Sequence, residues 1–210
     1  MKAMNSIASV TLEVADTTAA DRFYTAFGLG DQVGLRASQA PTTGFRGFAL
    51  ALTVSRPSVV DGFIGAALDA GATPLKPAAK SFWGYGGVVR APDGTIWKVA
   101  TSEKKDRGPA PLRFDEMVLL LGSADVLASK RFYLDRGLTV AKSFGSKYVQ
   151  FEAPTGGVKL ALYGRRALAK EVGVPVDGAG SHRLVLGGDG EAFADPDGFA
   201  WEAPSRTPAP

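Results

Sequence analysis

From Ile7 to Val14 apolar and polar residues alternate. Val10, Leu12 and Val14 fall on one face of an extended chain, and Ser9, Thr11 and Glu13 on the other. That period of two predicts a half-buried strand. Asp16 or Thr17 then offers a cap for a helix reaching Phe27, with Gly28 as its stop. Strand-forming material runs from Arg36 to Val54 and is richest over Phe48 to Val54. Pro57 suits a first helical turn, and a second helix runs through Ala70 to Gly71. Strands near Thr73 to Leu75, Gly87 to Arg90 and Thr95 to Ala100 complete this half. The second half follows the same order. It adds a strand pair, Thr139 to Phe144 and Lys147 to Glu152, and a shorter middle helix, Arg165 to Val172.

The resemblance between the halves extends to residues. Ala15-Asp16, Arg22-Phe23-Tyr24 and Gly28-Leu29 recur as Ala124-Asp125, Arg131-Phe132-Tyr133 and Gly137-Leu138. Gly47 to Leu52 recurs as Gly157 to Leu162, and Pro92-Asp93-Gly94 with Trp97 as Pro196-Asp197-Gly198 with Trp201. Three landmarks in one order predict an internal duplication. The expected units are residues 1–103 and 114–204, joined by a polar linker over 104–113 and followed by a loose tail over 205–210. Phe23, Tyr24, Phe132, Tyr133, Trp97 and Trp201 read as core residues, and the Pro-Asp-Gly segments as turns between strands.

Composition narrows the function classes. Of 210 residues, 45% are hydrophobic and 21% charged, which is ordinary for a chain with a buried core. The net charge is +3 and the basic residues do not form a stripe, so nucleic-acid binding is not expected. There is no cysteine, which removes disulfides, thiolate ligands and a thiol nucleophile. Met1 to Ala8 lacks the apolar run of a secretory signal, and no window is apolar enough to span a membrane. The expectation is a cytoplasmic protein with no membrane partner, as a monomer or a homodimer.

The Arg-Phe-Tyr helix, the Gly-Leu that follows it, and the late Asp-Gly turn followed by an aromatic residue and an acid resemble the vicinal oxygen chelate superfamily. That superfamily holds glyoxalases, bleomycin-resistance proteins and extradiol dioxygenases. The resemblance implies an α+β fold: tandem glyoxalase-like units built from paired βαβββ modules, with curved mixed sheets around a cavity. Metal-using members resembling this pattern place ligands on a first strand, on the first strand of the next module, and on the last strand after the Asp-Gly turn. Carried over, those places hold Ser9, Ala49 and Lys98 in the first half, and Val118, Lys159 and Glu202 in the second. A two-residue slip brings Glu116 onto the face of Val118. A divalent cation needs several deprotonated donors, and a lysine ammonium repels it. No metal and no other cofactor is therefore expected. If cavities combine both units, Lys159 and Glu202 share one with Ser9, while Lys98 and Ala49 share the other with Val118. Lys159 and Glu202 then read as an ion pair or as a grip on a polar ligand.

Two further features stand outside the ligand slots. The only histidine, His182, aligns with none of them and reads as structural or as a ligand contact. Trp83-Gly84-Tyr85-Gly86-Gly87 precedes the last strands of the first half. It reads as a lid over a cavity, or else Trp83 plugs the core. The leading function is metal-independent binding of a small aromatic or anionic molecule, with Trp83, Tyr85 and Lys98 at the working cavity. A glyoxalase-like lyase or isomerase, a dioxygenase-related enzyme, and a non-catalytic scaffold with vestigial cavities are the alternatives. The residues do not name the ligand.

Overall fold

The computed structural model describes residues 6–108 and 110–203. The expected tail over 205–210 lies outside them. In chain order the first half holds β1 (Ser9–Val14), α1 (Thr17–Ala26), β2 (Gly34–Ala37), β3 (Thr42–Gly44), β4 (Phe48–Thr53), α2 (Pro57–Asp69), β5 (Thr73–Ser81), β6 (Gly84–Arg90) and β7 (Ile96–Thr101). Then come β8 (Glu116–Ser123), α3 (Val126–Asp135), β9 (Val140–Phe144), β10 (Tyr148–Phe151) and β11 (Lys159–Gly164). The chain continues through α4 (Arg165–Val172), β12 (Gly178–Gly180), β13 (Leu184–Gly187), β14 (Phe193–Ala194) and β15 (Ala200–Glu202).

The result is an α+β fold with two main sheets. One has eight strands in the order β5-β6-β7-β4-β8-β11-β10-β9, the other five in the order β14-β15-β13-β1-β2. A small ribbon pairs β12 with β3. Both sheets draw strands from both halves of the chain. The eight-stranded sheet holds two complete βαβββ modules, β4-α2-β5-β6-β7 and β8-α3-β9-β10-β11. In each, the first and last strands pair in parallel, and the modules meet through the antiparallel β4–β8 pair. The five-stranded sheet repeats this plan in reduced form: β1 with β2 and β13 with β15 are parallel, and β1 meets β13 antiparallel.

This topology corrects one alignment made from the sequence. Gly47 to Leu52 and Gly157 to Leu162 agree at four of six positions, yet β4 opens its module and β11 closes its own. Both strands are central and buried, and burial alone imposes their common apolar pattern. Strand β5 is also longer than expected. It runs through Pro74 and Pro77 as an edge strand whose register shifts between Pro74 and Lys76 and between Lys76 and Ala79. An edge tolerates proline at such irregularities.

Helices α1, α2 and α3 and one face of each sheet meet in a single core. Asp16 caps α1 by accepting from the Ala19 N–H at 3.0 Å, and Asp125 caps α3 through Leu127 and Ala128. Tyr24 of α1 donates to Asp93 Oδ2 at 2.7 Å and accepts from Trp97 Nε1 at 3.5 Å. Tyr133 of α3 donates to Asp195 Oδ2 at 2.6 Å and accepts from Trp201 Nε1 at 3.2 Å. All four rings are buried, as the sequence suggests. Pairing each hydroxyl with a carboxylate removes the cost of burying it alone. Each helix is thereby fixed to the turn before the last strand of a module.

Candidate functional site

Strand alternation gives the eight-stranded sheet two different faces. Leu50, Leu52, Val89, Trp97, Val99, Leu119 and Leu121 belong to the main core with α2. Ala49, Val88, Ile96, Val118, Leu120 and Ala161 face the other way and pack against Leu168, Ala169 and Val172 of α4. Helix α4 therefore lies across the inner face, where the family resemblance expects a cavity. Three of its eight residues are fully buried there.

Polar contacts fix the helix in place. Its last turn ends at Gly173, in the left-handed conformation at φ +79°, which glycine adopts without strain. The Lys76 ammonium donates to the carbonyls of Lys170 at 2.9 Å and Glu171 at 2.6 Å, satisfying exposed acceptors at the negative end of the helix dipole. Arg165 donates to the Phe45 carbonyl at 2.9 Å. Glu171 accepts from Lys98 of β7. Burial pushes the Glu171 carboxyl up, but the Lys98 hydrogen bond and the charges of Lys98 and Lys76 outweigh it and hold that carboxyl below its usual range.

Four of the expected ligand places fall together on this face. Lys98 pairs in register with Ala51, Ala51 with Val118, and Val118 with Lys159, which makes one row across β7, β4, β8 and β11. Ala49 lies one step along the same face of β4. Lys159 is bonded to Glu116 of β8. Lys159 and Glu202 consequently do not meet. The resemblance implied their union in one cavity, but β11 closes the module of β8 and so carries Lys159 away from β15. Close by, Tyr148 stacks edge-on against Tyr163 with centroids 4.8 Å apart and donates to Gln150 Oε1 at 2.7 Å. Burial, with the nearby Tyr163 and Glu116, pushes the Tyr148 hydroxyl up to about 12.

The five-stranded sheet holds the other two places. Ser9 aligns with Gly187 and Gly187 with Glu202, so Ser9 and Glu202 do share a face, which is exposed. Both oxygens of Glu202 accept from Arg36, each at 2.7 Å. The Arg36 hydrogen bond, against a smaller opposing effect of burial, holds the Glu202 carboxyl below its usual range. An arginine fork on the carboxylate leaves it a poor partner for a cation. Among the described residues no three His, Cys, Asp or Glu side chains are grouped to hold a metal ion. The two rows, Lys98–Ala51–Val118–Lys159 and Glu202–Gly187–Ser9, do not fit a divalent cation.

Beside α4 the inner face stays open. A cleft of about 300 Å³ is bounded by the β5–β6 hairpin, β7 and the end of α4, and lined by Lys76, Lys80, Trp83, Tyr85, Gly86, Lys98, Ala100 and Glu171. Trp83 and Phe82 form the hairpin tip, 83% and 80% exposed, and meet edge-on at 4.9 Å. Trp83 therefore does not plug the core. Tyr85 borders the cleft, but its hydroxyl donates to Asp61 of α2 at 2.7 Å, on the opposite face of the sheet from Lys98. Gly86 permits the close approach of β7, because a Cβ there would stand 2.8 Å from the Val99 carbonyl. His182 takes no part. Its Nδ1 lies 2.6 Å from the Arg46 carbonyl and its Nε2 3.1 Å from the Asp197 carbonyl, and its ring stacks on Phe199. It ties the start of β13 to the turn before β15.

Lys76, Lys80 and Glu171 escaped the sequence reading. The amphipathic spacing of Leu168, Ala169 and Val172 announces a helix with one buried side, but not the sheet face it covers.

No protein-family description and no curated protein matches this chain by sequence. Solved structures do match. Glyoxalase I from Zea mays superposes with a TM-score of 0.59 at 13% identity, covering 93% of this chain and 90% of the maize chain. A Bacillus subtilis protein whose name assigns it provisionally to the dioxygenases superposes at 0.54 and 12% identity, covering 94% of this chain and 73% of its own. The chain has the vicinal oxygen chelate fold. In this chain helix α4 lies over part of the inner face, and two lysines stand in the row Lys98–Ala51–Val118–Lys159. No described helix is long and apolar enough to cross a membrane.

Proposed function

We propose that this chain is a metal-independent binding protein of the vicinal oxygen chelate fold that takes a small aromatic anion in the cleft beside α4. One observation carries this reading: an exposed indole and the lysines Lys76, Lys80 and Lys98 converge on one cleft that holds a single carboxylate, Glu171. The excess of ammonium groups favours an anion, even though Lys98 already donates to Glu171 and Lys76 to the carbonyls of Lys170 and Glu171. The Trp83 ring offers a broad apolar face with little conformational freedom to lose, worth about 0.5–1.5 kcal/mol beyond its buried area when stacked. A cleft of this size is at the lower end for drug-sized ligands, which suits a molecule of one or two rings.

Fluorescence provides the test, because Trp97 and Trp201 are buried and Trp83 is exposed. Titrating chelator-treated protein with 2-naphthoate should change the Trp83 emission saturably, with no dependence on added zinc or manganese. Lys98→Ala should weaken binding about tenfold, which is ~1.4 kcal/mol. An emission change that appears only after a divalent metal is added would contradict the reading.

A further inference from the structure

We infer that Glu171 sets the ligand class: its carboxylate stands on Lys98 where the ligand's own anion belongs, and an aryl carboxylate enters the cleft by exchanging with it. This assignment rests on the cleft reading proposed above and narrows it from aromatic anions to aromatic carboxylates.

The place is built and open. Glu171 and Lys98 both line the cleft of about 300 Å³ that Trp83, Lys76 and Lys80 also border. The carboxylate accepts from the Lys98 ammonium, and the two side chains are 42% and 27% exposed. Lys98 is thus shielded, and a shielded charge rewards an incoming anion more than a solvated one does. Lys80 is exposed on the hairpin, where water and salt screen it. Lys76 already donates to the carbonyls of Lys170 and Glu171.

Glu171 can leave without releasing its helix. Leu168, Ala169 and Val172 are packed in the inner-face cluster, Lys76 holds the last carbonyls, and Arg165 holds the Phe45 carbonyl. None of these contacts involves the Glu171 carboxylate. Exchange breaks the bond from Lys98 to Glu171 and makes one from Lys98 to the ligand, while the released carboxylate passes into water. An ion pair this exposed is weak, so little opposes its release. The incoming group must accept as strongly as the carboxylate that it replaces. A ligand carboxylate does. A sulfonate of the same charge is a weaker acceptor, and a neutral aromatic molecule gains nothing from the exchange.

Titrations followed by Trp83 emission test this with 2-naphthoate, 2-naphthalenesulfonate and neutral 2-naphthylmethanol. The wild-type chain should prefer naphthoate to the sulfonate. Glu171→Gln should bind naphthoate about fivefold more tightly, narrow the preference over the sulfonate and leave naphthylmethanol unchanged. In a Lys98→Ala background the same substitution should gain about twofold at most, from lost repulsion alone. Equal wild-type affinity for naphthoate and the sulfonate would overturn the carboxylate class. A Glu171→Gln chain that binds naphthoate no more tightly, or an equal gain in both backgrounds, would overturn the exchange, while wild-type binding would keep the single-cleft reading intact. If only Glu171→Gln binds, the exchange holds and the native cleft is closed to naphthoate. If neither protein binds any probe, both readings fail.

Discussion

Lys98 on β7 holds Glu171 on α4, and this contact joins the inner face of the eight-stranded sheet to the helix that covers part of it. The same ammonium lines the open cleft. One residue thus anchors the helix and presents charge to whatever enters beside it.

The pair has a definite pH signature. The Glu171 carboxyl is held below its usual range in the folded chain. Its stabilising contribution is therefore fully present above the unfolded value, near 4.3, and is lost as pH falls through the lowered folded value. Glu171→Gln should cost at most about 1 kcal/mol at neutral pH, since the carboxylate is 42% exposed and solvent screens the pair. Urea unfolding of both proteins between about pH 7 and 3 should show the difference shrinking on the acid side. A difference that grows on acidification would contradict the assignment.

Helix α4 is part of the folded core. Leu168 is fully buried against the inner face. Leu168→Ala should cost roughly 2–5 kcal/mol, the range for emptying a packed leucine site. Chemical denaturation gives the value directly. A cost under about 1 kcal/mol would mean that α4 is a loosely held lid and that the inner face opens easily.

The internal duplication suggests units over 1–103 and 114–204, and the sheets suggest that neither stands alone. Residues 1–103 would leave β4 without β8 and β1 without β13. Both are long inner edges that expose backbone donors, acceptors and apolar side chains. The isolated fragment should aggregate or dimerise. Sedimentation of a stable, folded monomer of residues 1–103 would show that the shared sheets are dispensable.

Periodicity and punctuation made much of the fold legible. Asp16 and Asp125 announce the starts of α1 and α3, and the recurring Tyr and Trp positions mark the buried contacts of those helices with the late turns. What the sequence leaves out is strand order. Phe48 to Leu52 and Val158 to Leu162 share a pattern because both are buried, and a buried pattern is the same whether a strand opens a module or closes it. That ambiguity separated Lys159 from Glu202 and brought it to Glu116 instead. At the site, Trp83 and Lys98 share a cleft, while Tyr85 turns away because residues 84 to 90 alternate between faces. Glu171 had no local signal, since its role depends on where α4 lies.

The most direct measurement is a map of backbone amide shifts in a two-dimensional 15N–1H spectrum as 2-naphthoate is added to chelator-treated protein. The account predicts a saturable cluster at Lys80 to Gly87, Lys98 to Thr101 and Glu171. Shifts centred on Ser9, Arg36 and Glu202 would place binding on the five-stranded sheet instead, and a spectrum unchanged at millimolar ligand would contradict small-molecule binding in this cleft.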